Sequence, residues 1–61
     1  MTAFYFIRWI IAGEAPRGSQ TFAHRDSAIK YARRARLDHP EWGDQIVRHA
    51  DGEQTVVEGT R

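Results

Sequence analysis

Nine residues near the start of the chain, Ala3-Phe4-Tyr5-Phe6-Ile7-Arg8-Trp9-Ile10-Ile11, include a single charge, at Arg8. Aromatic and β-branched residues fill this run, which favours a strand. Side chains alternate along a strand, so Tyr5, Ile7, Trp9 and Ile11 share one face, and Phe4, Phe6, Arg8 and Ile10 share the other. A strand that is apolar on both faces needs cover on both. The run is too short for the ~18 consecutive apolar residues of a membrane span. It also lacks the basic start of a signal peptide, and it is richer in aromatic and β-branched residues than in Leu and Ala. The expectation is a central strand in a cytoplasmic protein.

Everything after Gly13 is more polar and must supply that cover. The 61 residues suffice for one domain, taken here as 1–61. A chain of this size buries only about 60% of its unfolded surface, and its core rarely leaves more than ~3–5 kcal/mol of net stability. Small domains therefore draw on disulfides, metals or a second subunit. Cysteine is absent, which excludes disulfides and thiolate zinc sites. An apolar fraction of 41% with seven aromatic residues specifies a folded chain rather than a disordered one. The remaining support is the core itself or self-association.

The other elements follow from local signals. Gly13-Glu14-Ala15-Pro16-Arg17-Gly18 reads as a loop, and Ser19–Ala23 as a short strand returning antiparallel to the first. A helical pattern runs from Arg25 to Asp38, with His24 or Asp26 as N-cap. Pro40 ends it, because the residue before a proline leaves the helical region. Ala28, Tyr31, Ala32 and Ala35 fall on one stripe, with Ile29 at its margin. Alanines bury little area but let a helix sit close to a sheet. Trp42 is expected to fold back over one end of the core. Gln45–His49 and Gln54–Glu58 read as strands joined by Asp51-Gly52, the favoured pair for a type I′ hairpin, and Gly59–Arg61 as a frayed end. The order is β-β-α-β-β: an α+β fold with a four-stranded, mostly antiparallel sheet and one helix on one face.

Thr21-Phe22, the helix start, Ala28-Ile29, Ala32, Ile46-Val47-Arg48-His49 and Asp51-Gly52 together form a pattern. It resembles a group of short uncharacterised bacterial β-β-α-β-β domains: a strand with "F-x-[ST]", an Ala-rich helix, a "V-V-x-H"-like strand and "D-G" before a last strand. The likeness covers roughly Ser19 to Glu58 and departs at His24, where the pattern has Ser or Thr, and in the longer apolar first strand. It implies the fold and leaves the function open.

Chemistry is sparse. The chain offers no phosphate-binding Gly-rich loop and no nucleophile–base–acid set at recognisable spacing, so a non-enzymatic role without cofactor is expected. His24, His39 and His49 have spacings that match no metal-ligand motif. Net charge is +1, but Met1–Leu37 carries seven basic and two acidic residues, while Asp38–Arg61 carries six acidic and two basic. That asymmetry either guides a partner or cancels when the halves interleave. Lys30, Arg33 and Arg34 share the exposed helix face with Leu37, and Arg25 and Arg36 lie nearby. Arg36 is expected to turn partly toward the sheet.

Two functions remain. The first is a protein-interaction domain, a homodimer formed through Phe4, Phe6, Arg8 and Ile10 on the face that the helix leaves open, acting as an adaptor or inhibitor of a larger protein. Val56, or alternatively Thr55 and Val57, would extend that stripe according to register, unless Trp42 and the Glu14–Gly18 loop cover it within one chain. The alternative is a small nucleic-acid-binding protein using Arg25, Lys30, Arg33, Arg34 and Leu37 on the basic helix, against which stands a pI of about 8.3.

Overall fold

The computed structural model describes residues 3–59. Strands β1 (Phe4–Ile10), β2 (Arg17–Phe22), β3 (Gly43–Ala50) and β4 (Glu53–Gly59) form one antiparallel sheet in the order β2-β1-β3-β4. The helix α1 (Arg25–Asp38) connects β2 to β3. The apolar run near the start therefore becomes a central strand, as its composition requires. The fold is the expected β-β-α-β-β arrangement of the α+β class. Its smallest dimension is 16 Å, the depth of a sheet plus one helix. No helix among the described residues is long and apolar enough to cross a membrane.

Tight turns place the strands. Glu14 N–H donates to the Ile11 carbonyl (3.1 Å), and Gly13 sits at φ 79° between them, a conformation that suits glycine. β2 begins at Arg17, two residues before the expected start, and ends at Phe22. A bulge interrupts its pairing with β1 between Phe6 and Arg8. There the Ile7 N–H donates to Ser19 Oγ (2.9 Å), so a hydroxyl stands in for the missing ladder carbonyl. At the other hairpin Asp51 (φ 55°) and Gly52 (φ 78°) form the expected left-handed pair. Gly59 is the last residue of β4, and the rest of the expected frayed end, Thr60 and Arg61, lies outside the described residues.

The core lies between α1 and the Tyr5/Ile7/Trp9 face of β1. Ile7, Trp9, Ala28, Ala32 and Ile46 are buried together, with Tyr5, Phe22, Ile29, Ala35, Trp42 and Val57 packed around them. The alanines do what their size predicts: they seat the helix close, and the sheet supplies the bulk. The helix is rotated slightly from the expected stripe. Ile29 turns inward and Tyr31 is 46% exposed, with its ring tilted against Phe22 at 5.5 Å.

His24 takes the N-cap position with no side-chain bond to the helix, so neither candidate caps by its side chain. At the C-terminus, His39-Pro40-Glu41-Trp42 makes a turn closed by Trp42 N–H donating to the His39 carbonyl (3.1 Å). Proline at the second position presets that turn. It brings the His39 and Trp42 rings face to face at 3.8 Å and lays Trp42 against Trp9 at 5.4 Å. Trp42 is thus the expected lid over the core, on the helix side of the sheet.

Candidate interaction surfaces

Cross-strand partners point to the same side of a sheet, so the register defines the face opposite the helix. Phe6 pairs with Thr21 on one side and Val47 on the other, and Val47 pairs with Val56. Phe4 pairs with His49, which pairs with Gln54; Arg8 lies between Gly18 and Gln45. Arg8 is the one Lys, Arg, Asp or Glu among these positions. The register settles the open choice on β4. Val56 joins the outer face, so Val57, the next residue along the strand, turns into the core by alternation; a bulge between Ile46 and Val47 then leaves Ile46 opposite Glu58.

Two devices pull this face together. Arg8 donates through Nη1 to Gln45 Oε1 (3.3 Å) and through Nη2 to Gln54 Oε1 (3.2 Å), reaching from β1 over β3 to β4. The Phe4 and His49 rings stack at 4.8 Å with an 11° interplanar angle. Val47 is completely buried on a face with no second layer, held between Phe6 and Val56. Phe4, Phe6, Arg8 and Ile10 are half-buried rather than fully open, and Val56 is 49% exposed. Trp42 sits over the core on the other side, so it does not shield the Phe4–Ile10 stripe.

The basic residues expected on α1 divide into two groups. Arg25 turns away from the array: its Nη2 donates to the Val57 carbonyl (3.2 Å) and to Glu58 Oε2 (3.4 Å). Arg36 leans toward the sheet, as expected, with Nη1 3.8 Å from Asp44 Oδ1, while its Nε is buried without a hydrogen-bond partner. Both pairs join a basic residue before Asp38 to an acidic one after it, so the halves of opposite charge interleave. Among the described residues Lys30, Arg33 and Arg34 stay exposed and unpaired, and Leu37 is 81% exposed.

Of the outer face, the sequence marks Val56 as one of two alternatives on β4 but does not mark Val47, His49 or Gln54, although a signal existed. A two-residue turn at Asp51-Gly52 pairs Ala50 with Glu53 and therefore Val47 with Val56. Among the described residues no three His, Asp or Glu side chains gather to hold a metal ion. Comparisons of the chain with protein-family models, with curated proteins and with solved structures find no match.

Proposed function

We propose that this is a protein-interaction domain that self-associates through the sheet face opposite α1. One observation carries the reading: the half-buried Phe4, Phe6 and Ile10 and the exposed Val56 surround the buried Val47 on a face with Arg8 as its one formal charge, and no element of the described chain is layered over it. Monomeric proteins rarely leave contiguous apolar faces open, and interface centres are depleted of charge. A two-fold pairing of sheet on sheet gives each copy the second layer it lacks. The same face could serve an adaptor or inhibitor that docks on a larger protein.

The size of the face sets the expected strength. Four strands of about seven residues give a face of roughly 19 by 23 Å, or about 440 Å² per copy. Two such faces fall near the lower limit of specific interfaces, about 1,000 Å² in total. Association is therefore expected to be reversible over accessible concentrations. Val56→Glu tests the reading, because Val56 is already half-exposed and a new carboxylate there repels its copy at little expense to the fold. The expected result is a monomer with an unchanged far-ultraviolet spectrum; a variant that associates like the parent rejects the proposal.

A further inference from the structure

On the opposite side of the molecule, two hollows adjoin along one flank of α1. The first, about 330 Å³, is lined by Trp9, Tyr31, Arg34, Asp38, His39 and Trp42. The second, about 400 Å³, is lined by Phe22, Ser27, Lys30, Tyr31 and Arg34. Tyr31 and Arg34 line both, so the two hollows are immediate neighbours, together called the channel. Rings follow one another along it: Phe22 tilted against Tyr31 at 5.5 Å, then Trp9 tilted against Trp42 at 5.4 Å, with His39 stacked on Trp42.

Two cations stand beside these rings. Lys30 and Arg34 lie one helical turn apart, a rise of about 6 Å. Neither takes part in an ion pair or hydrogen bond within the described chain, whereas Arg8, Arg17, Arg25 and Arg36 are all engaged. Asp38 follows Arg34 by four residues, a spacing at which opposite charges on a helix meet, yet the two are not paired. Arg34 keeps its donors available to the channel.

We infer that this channel binds a short single-stranded nucleic acid, with Lys30 and Arg34 on successive phosphates and unpaired bases against Tyr31 and the Trp42–His39 stack. A positive track beside aromatic rings is the combination that holds single strands without reading their sequence. Asp38 repels phosphate and so ends the track. Bases inside a duplex present no free faces to these rings, so single strands are preferred. Arg33 provides an internal control: it is likewise exposed and unpaired but lines two other hollows, neither bordered by Tyr31 or Arg34 and one shared with Lys30. The site lies on the face opposite the association surface, so the two proposals stand or fall separately.

The test is a titration of the full chain with a mixed-sequence single strand of about eight nucleotides, as DNA and as RNA, at about 50 mM salt. The readout is intrinsic tryptophan fluorescence, since both tryptophans of the chain border the channel. Binding should quench that fluorescence and weaken with salt at a log–log slope near −1.4, as for about two phosphates on a single strand. Arg34→Ala and Tyr31→Ala change exposed side chains and should each weaken binding about five-fold or more. Arg33→Ala should change it less than about two-fold. Absence of quenching, equal affinity for the matching duplex, or equal losses for Arg33→Ala and Arg34→Ala would overturn the assignment.

Discussion

Arg8 on β1 reaches over β3 to donate to Gln54 Oε1 on β4 at 3.2 Å, while its other terminal nitrogen donates to Gln45 Oε1 at 3.3 Å. One side chain thus ties three strands together on the face that lacks a second layer, directly beside the buried Val47. Its charge breaks an otherwise apolar stripe and is placed where it crosslinks the sheet.

Replacing that tie has a measurable consequence. Arg8→Ala removes both bonds and should lower the unfolding free energy by about 0.5–1.5 kcal/mol, seen as a drop of several degrees in the melting temperature. Arg8→Lys should recover little of the loss, because a single ammonium lacks the fork that serves two amides at once. A melting temperature unchanged in Arg8→Ala would show that the tie contributes nothing.

The core leaves little margin. Ile46 is 1% exposed and packs with Ile7, Trp9, Ala28 and Ala32. Ile46→Ala should remove about 2–5 kcal/mol, as much as a domain of this size has available. The variant is expected to be largely unfolded at room temperature by circular dichroism, while Ile46→Val, at about 0.5–1.5 kcal/mol, stays folded with an earlier denaturant midpoint. A well-folded Ile46→Ala would mean that stability comes from elsewhere.

The β3–β4 turn separates conformational from steric effects. Gly52 sits at φ 78°, and a methyl group added at its Cα would meet no atom within 4 Å, so Gly52→Ala adds no clash. It should nonetheless cost roughly 1–2 kcal/mol, the penalty for an L-residue in the left-handed region. Chemical denaturation measures it directly; a neutral result would mean that the turn relaxes to another type.

Much of this architecture was legible because strong local signals agree. The two-faced apolar run marked a central strand, Pro40 ended the helix after Asp38, and Asp51-Gly52 marked its hairpin; each corresponds to the observed element. Long-range side-chain choices were less accessible. Arg25 reads as one more cation on a basic helix until the fold brings the Val57 carbonyl within reach. Tyr31 fits the inner stripe by periodicity, yet Phe22 on the edge strand draws it to the margin. The ring cluster of Trp9, His39 and Trp42 joins residues from β1 and the turn after α1, and spacing along the chain does not reveal that meeting. Turn geometry with strand alternation assigns Val56 to the outer face and Val57 to the core, whereas the bulge that sets Ile46 opposite Glu58 carries no evident sequence mark.

The most direct test of self-association is the solution mass of the parent chain by sedimentation equilibrium, over roughly micromolar to millimolar concentration. The expected result is a rise from the 7.0 kDa monomer toward twice that mass, with no larger species, as two sheet faces close on each other. A mass that stays at the monomer value across the whole range would contradict it.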